Sequence, residues 1–471
     1  MNASVVILTL EIIYFITVLF IVFMVISENR NPIKTMSWAV LLLFVPIVGI
    51  IIYFFFGQDT RRLRIISKKR FRMLQKQSFK PLAVHNSRKN ILPREYAPLV
   101  KLLNKNNDSA LMQGSKIDFF SNGKEKFETL IKDMENASHH IHLQYYIFEN
   151  DEIGRKIKSI LMKKSLEGVE VRVLYDDVAN WTTRNRFYDE MKNAGVEITA
   201  YLQVRFPLFT SKVNYRNHRK IVVIDGKIGY IGGMNVADRY LKDSWKDMHL
   251  RITGKGVLAL QSAFLVDWVS SGKSLSNEKS YFPEAPVITE NILQIVTGGP
   301  IDPWHTLLQA MLQILSNAKK YVYIQTPYFL PTESLLQILQ STALSGIDVR
   351  LMVPHKPDVR FVNSAACSYF ADIMRAGVKI YLYKPAFLHT KMMVVDSFLT
   401  VIGSANMDFR SFEHNFEINA YLYDKIIARK MKRLFLDDQE NCEQLTLAEW
   451  EKRPRIEKFK ESITRMFSPL L

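Results

Sequence analysis

Two stretches of the 471-residue chain carry the same chemically competent residues at the same spacing. NHRKIVVIDGKIGYIGGMN begins at Asn217 and LHTKMMVVDSFLTVIGSAN at Leu388, and both read H-x-K-x4-D-x6-G-(G/S)-x-N. The frame places His218, Lys220, Asp225 and Asn235 in one copy and His389, Lys391, Asp396 and Asn406 in the other. An imidazole can attack phosphorus or pass a proton, and a lysine is a cation for anionic oxygens. A phosphodiester is itself anionic and resists attack by water or alcohol. Two histidines and two lysines could break it without a metal: one imidazole forms a phosphohistidine while the other, protonated, donates to the leaving alkoxide and then turns into a base. Lys220 and Lys391, with Asn235, Asn406 and the Ser404 hydroxyl, are the candidates to hold the phosphoryl oxygens where charge gathers.

A histidine nucleophile needs a fixed tautomer, usually set by a carboxylate on its other nitrogen. Asp247, 29 residues after His218, and Glu417, 28 residues after His389, occupy matching places in SWKDMHLRI and HNFEINAYL, both of which read as the next strand. Asp225 and Asp396 stand at strand ends, followed by Gly226 or Ser397, and are expected to tie the backbone or the partner half together rather than to move protons. The half-sites are unequal, with Gly233 where the second copy has Ser404 and Asp247 where it has Glu417. A lone H-x-K means little; an eighteen-residue frame written twice is specific. Neither a metal nor another cofactor is expected, because the repeated partner in the frame is lysine, a poor ligand at neutral pH. His139, His140 and His142 cluster, but they align with Lys320, Tyr321 and Tyr323, so a strand with polar and aromatic faces is expected there. Cys367 and Cys442 lack ligand or CxxC spacing and read as ordinary thiols.

The segments that must position these residues also repeat. NASHHIHLQYYIF from Asn136 aligns with NAKKYVYIQTPYF from Asn317, GVEVRVLY from Gly168 with GIDVRLMV from Gly346, and NAGVEITAY from Asn193 with RAGVKIYLY from Arg375. β-rich runs alternate with helix-period stretches such as IGRKIKSILMKKSLEG, whose terminal glycine suits a helix C-cap. The expected fold class is α/β, a duplicated α/β sandwich with two-fold pseudo-symmetry. Each motif places an apolar strand, IVVI or MMVV, between its lysine and aspartate, with His and Lys two apart on one face. The first half carries a longer loop, Gln203 to Asn217, which could lie over the site or against lipid.

Ala3 to Ser27 is almost wholly apolar, and Met36 to Phe56 is a second apolar run. Each is long enough to span about 30 Å of hydrocarbon as a helix, which predicts a transmembrane hairpin. A cleaved signal peptide is a poorer reading, since the positive n-region is missing and a second apolar run follows at once. The loop between the runs holds one Arg and one Lys, whereas RRLRIISKKRFR from Arg61 holds seven cations, a bias that places the remainder of the chain in the cytoplasm. The first 57 residues carry Glu11 and Glu28 against Arg30 and Lys34, so the net charge of +17 resides entirely in the body. Such a body implies an anionic partner, and the apolar runs favour a membrane rich in acidic lipid over nucleic acid. The organisation expected is 1–57 transmembrane hairpin, 58–107 basic connector, 108–285 first half and 286–471 second half.

At these residues the chain resembles the phospholipase D superfamily, whose members share the doubled H-x-K-x4-D frame. Its arrangement, with NPIKTMSWAVLLLFVPIVGIIIYFFFG before the first motif, is similar to that of bacterial cardiolipin synthases over nearly all of its length. The resemblance implies transfer of a phosphatidyl group from one phosphatidylglycerol to the hydroxyl of another, releasing glycerol, at a bacterial inner membrane and without metal or nucleotide. It also implies His218 as nucleophile and His389 as acid, an order that pseudo-symmetry leaves reversible. The rivals are a phospholipase D-type hydrolase or a transferase using another alcohol, a nuclease, and an inactive lipid-binding scaffold. Nothing in the sequence sets the oligomeric state, and EWEKRPRIEKFKESITRMFSPLL at the C-terminus reads only as a basic, membrane-facing helix.

Overall fold

The computed structural model describes residues 3–27, 32–45, 49–50, 53, 92–183, 185–203, 214–275 and 278–468. These form two compact units, one holding the N-terminal helices and the other holding both motif-bearing halves. In the first unit, α1 (Ala3–Ser27) has 25 residues and α2 (Pro32–Phe44) has 13. Trp38 and Tyr53 meet edge to face at 5.4 Å. Parts of the second apolar run, 46–48, 51–52 and 54–56, lie outside the described residues. Among the described residues no helix is long and apolar enough to cross a membrane, so the two-span hairpin is not established by the structure. Most of the 58–107 connector and most of the Gln203–Asn217 loop lie outside the described residues.

The second unit contains one sheet per half, and the two share a plan. In spatial order the first runs Lys116–Phe120, His249–Thr253, Ile228–Gly232, Ile221–Ile224, His140–Tyr145, Glu170–Asp176, Glu197–Tyr201. The second runs Ile292–Gly298, Asn415–Tyr423, Leu399–Gly403, Met392–Val395, Tyr321–Gln325, Asp348–Pro354, Lys379–Tyr383, with Met112–Gln113 and Cys442–Gln444 added at its edges. Seven strands correspond one to one, so the repeat read from the sequence is a repeat of topology.

Local chemistry explains the elements. Helices Gly123–Glu135, Glu152–Leu166 and Lys425–Gln439 are N-capped by Asn122, Asp151 and Asp424, whose side chains accept from the N–H three residues on. Gly168 and its counterpart Gly346 take φ of +88° and +87° just past their helices, a left-handed conformation that glycine adopts at no steric cost. The helix Val257–Ser270 is apolar on nearly every side and accordingly buried. It lies in a core shared by both halves, where Leu250, Leu260, Phe264 and Trp268 of the first meet Met392, Ile418, Leu422 and Phe435 of the second. Each sheet also has an outer core of its own beneath the remaining helices. The motif strands Ile221–Ile224 and Met392–Val395 are wholly buried inside these sheets.

The halves are joined by exchanged strands. Arg216–Asn217 pairs in parallel with Asn415–Phe416, and Phe387–Leu388 pairs in parallel with Trp245–Lys246. Each exchanged strand immediately precedes a motif histidine, so the backbone that enters each motif is held by the opposite half.

Candidate active site

His218 donates its backbone N–H to the Phe416 carbonyl at 2.9 Å, and His389 donates its own to the Lys246 carbonyl at 2.7 Å. The side chains cross in the same sense. His218 Nδ1 lies 2.9 and 3.0 Å from the Glu417 carboxylate oxygens, and His389 Nδ1 lies 2.6 Å from Asp247 Oδ2. Both carboxylates named from the sequence therefore orient a histidine, but each serves the other half's histidine. A carboxylate on Nδ1 selects the tautomer with its hydrogen there and leaves Nε2 with a free lone pair.

The lysines turn back onto the histidine backbone. Lys220 is fully buried and donates to the His218 carbonyl at 2.6 Å, and Lys391 donates to the His389 carbonyl. The two half-sites share one electrostatic field: Lys391 contributes to depressing His218, and Lys220 to depressing His389. Burial is the main cause in each case, holding His218 below its ordinary value and His389 down at about 3. Burial also lowers Lys220 to about 7 and Lys391 to about 8. Burial would raise Glu417, but the His218 ring, Lys220 and Ser404 outweigh it and keep its carboxyl below the usual range. Both imidazoles are thus neutral at neutral pH, and His218 sits on an ionised Glu417 carboxylate, as a nucleophile requires.

The unequal positions prove complementary. Ser404 donates its hydroxyl to Glu417 and accepts from the Ile418 N–H at 2.9 Å, so it braces the longer carboxylate. At Gly233 a Cβ would lie 2.2 Å from Asp247 Oδ1, so glycine makes room for the shorter one. Asn235 accepts from the Ile147 N–H at 3.2 Å and donates to Tyr240 Oη at 2.7 Å. Asn406 donates to Asp408 at 3.1 Å, and its buried Oδ1 has no partner among the described residues. Asp225 accepts from the N–H groups of Ser138, His139 and His140 and from the Ser138 hydroxyl; Asp396 accepts from Lys319, Lys320 and Tyr321. The aspartates of the frame thus stand at the far ends of the motif strands, clamping the neighbouring strand, away from both rings.

Several contributors were not singled out from the sequence. Tyr146 packs edge-on to His218 with centroids 4.8 Å apart, and Trp245 lies 5.4 Å from His389. Asp267 bonds Arg219 at 2.6 Å, Gln144 at 2.6 Å and Asn217 at 3.3 Å, anchoring the chain on both sides of His218. Its counterpart Asp438 bonds Gln325 at 2.8 Å and also Lys246, the residue before Asp247. Gln144 and Gln325 align in the repeat, as do Asp267 and Asp438 at the offset of the histidines, which is the signal that could have identified them. His140 and His142 both bond Gln261, at 2.9 and 2.8 Å, and burial pushes them down to about 3 and about 4. They belong to the shared core.

The family model "Cardiolipin synthase, PLD-like domain" matches residues 130–268 and 311–439, and "Phospholipase_D-nuclease N-terminal" matches 12–58. A cardiolipin synthase of Listeria monocytogenes is 38% identical over 98% of both chains. One from a Geobacillus species is 39% identical over 98% of this chain and 94% of its own, and the major cardiolipin synthase ClsA of Bacillus subtilis is 37% identical over 98% of both. Among solved structures, the phosphatidylserine synthase of Haemophilus influenzae superposes with a TM-score of 0.61 at 14% identity, covering 79% of this chain and all of that one, a likeness of fold. The chain belongs to the cardiolipin synthase family of phospholipase D-like proteins.

Proposed function

We propose that the protein makes cardiolipin by moving a phosphatidyl group from one phosphatidylglycerol to the terminal hydroxyl of a second. The observation that carries this reading is the crossed pairing of His218 with Glu417 and His389 with Asp247, which allows one two-histidine site to exist only where both halves meet. Family membership over almost the whole chain supplies the substrate class.

In the first step His218 Nε2 attacks phosphorus, the bond to the glycerol oxygen breaks, and protonated His389 gives that oxygen its proton. Glu417 stabilises the positive charge that His218 acquires in the phosphohistidine. In the second step neutral His389 takes the proton from the hydroxyl of the acceptor lipid, whose oxygen displaces His218. Lys220 and Lys391 face the phosphoryl oxygens with positive charge. The incoming phosphate anion also restores basicity to His389, which burial holds at about 3. Ser404 serves Glu417, while Asn235 and Asn406 brace the loops around the site. No step needs a metal or a cofactor.

Transfer rather than hydrolysis requires that lipid alcohol reach the phosphohistidine before water. A membrane-held enzyme meets its acceptor at high local concentration. The apolar runs Ala3 to Ser27 and Met36 to Phe56 and the N-terminal family match support a membrane hairpin, with the cation-rich segment after it on the cytoplasmic side. Purified protein incubated with labelled phosphatidylglycerol tests the reading. Cardiolipin and glycerol in equal amounts support it; phosphatidic acid alone indicates a hydrolase, and no turnover a scaffold.

A further inference from the structure

The C-terminal helix Arg455–Arg465 is inside out. Its inward side is polar: Glu461 and Thr464 are each 8% exposed, Glu461 holds Arg453 through two bonds of 2.6 and 3.0 Å, and Thr464 donates to Ser364 at 3.2 Å. Arg465 completes that side by bonding Asp372 at 3.1 Å and the Ser368 carbonyl. Its outward side is apolar, with Ile456 59%, Phe459 62% and Ile463 42% exposed, and Met466 and Phe467 continue the stripe at 78% and 44%. A helix that packs on its own protein normally does the opposite. Arg455 and Lys460 are exposed on the same outward side, and the stretch Lys452 to Phe467 holds six cations against two carboxylates. An apolar stripe flanked by cations is the composition of a helix that lies in the interface of an anionic bilayer.

The stripe also extends beyond its own helix. Phe467 meets Phe361, itself 45% exposed, with centroids 6.0 Å apart. Val359, two residues before Phe361, is exposed to the same 45%. Exposed apolar side chains thus continue from the C-terminal helix to Phe361 and Val359.

We propose that the outward face of Arg455–Arg465, with Met466, Phe467 and Phe361, docks on the surface of an anionic phospholipid bilayer. The proposal rests on the reading of the substrate as membrane lipid. It adds a second, reversible membrane contact made by the body of the enzyme, separate from the N-terminal apolar runs.

The test uses the full-length protein reconstituted with vesicles of phosphatidylglycerol and phosphatidylcholine whose acyl chains are brominated. In Phe459→Trp the added indole should be quenched by these chains, more strongly with phosphatidylglycerol present than with phosphatidylcholine alone. In the double variant Phe459→Glu/Ile463→Glu, kcat/KM on vesicle phosphatidylglycerol should fall roughly tenfold or more, in line with the apolar area withdrawn from lipid. Turnover of short-chain phosphatidylglycerol dispersed as monomers should be retained. An unquenched indole, an equal loss on both substrates, or a face covered instead by a second copy on cross-linking would each overturn docking. If the unaltered enzyme turns over neither lipid, the functional reading fails, while the quenching still decides where the helix lies.

Discussion

Replacing Asp247 with Asn should disable His389 rather than the histidine of its own half. Asp247 Oδ2 lies 2.6 Å from His389 Nδ1 with both side chains buried, so the imidazolium that His389 becomes during turnover faces the carboxylate at roughly 4 Å between charge centres. With an effective dielectric of about 20 their attraction is about 4 kcal/mol. Most of it is lost in Asp247→Asn, and the amide can also hold the wrong tautomer, so kcat should fall by about a thousandfold. A chromogenic phosphatidyl ester with a nitrophenol leaving group locates the fault. Nitrophenolate departs without a proton, so Asp247→Asn and His389→Ala should still release a stoichiometric burst and accumulate the phosphohistidine, while transfer to the acceptor stalls. Glu417→Gln and His218→Ala should give no burst. The opposite pattern, with Asp247→Asn failing alongside His218→Ala, would refute the crossed assignment.

Gly233→Ala would bring its Cβ to 2.2 Å from Asp247 Oδ1, so the carboxylate must swing away from His389; activity should fall at least roughly a hundredfold with the fold retained by circular dichroism. The site lysines, lowered to about 7 and about 8, lose their charge as pH rises, so kcat/KM should decline through pH 7 to 8 and, with both charges required, steepen above pH 8 toward roughly a hundredfold fall per unit. A profile still rising at pH 9 would contradict that order. Asp225→Asn removes a carboxylate that three N–H groups and a hydroxyl hold, and should cost about 1–3 kcal/mol in urea unfolding while leaving kcat nearly intact. Burial would raise the Asp225 carboxyl, but those donors depress it. Its contribution is therefore present at neutral pH and lost as pH falls below about 4, and the gap between variant and parent should close in acid.

The motif residues were legible because two copies constrain each other: His218 and His389 share a frame that one copy alone could match by chance. The strands IVVI and MMVV and the cap glycine Gly168 follow from local periodicity and backbone conformation, so the doubled α/β plan was readable as well. Asp247 and Glu417 stood out by matching position, but their exchange between halves did not, because it depends on Arg216–Asn217 and Phe387–Leu388 joining the opposite half's strands. A bond between distant segments leaves no periodic trace in either. For the same reason Ser404 read as a group for substrate, whereas its hydroxyl is taken up by Glu417. The C-terminal segment read as a basic, membrane-facing helix, but which of its residues face outward did not, since that is decided by the surface it packs on.

The central claim is that His218 and His389 address one phosphorus atom. A crystal structure with orthovanadate, which mimics phosphorus in displacement, tests it most directly. A single vanadium bonded to His218 Nε2, with His389 Nε2 within hydrogen-bonding distance of the apical oxygen opposite and both lysines on the equatorial oxygens, is the predicted result. Two vanadates in separate cavities, or one bound by a single histidine with the other turned away, would contradict it.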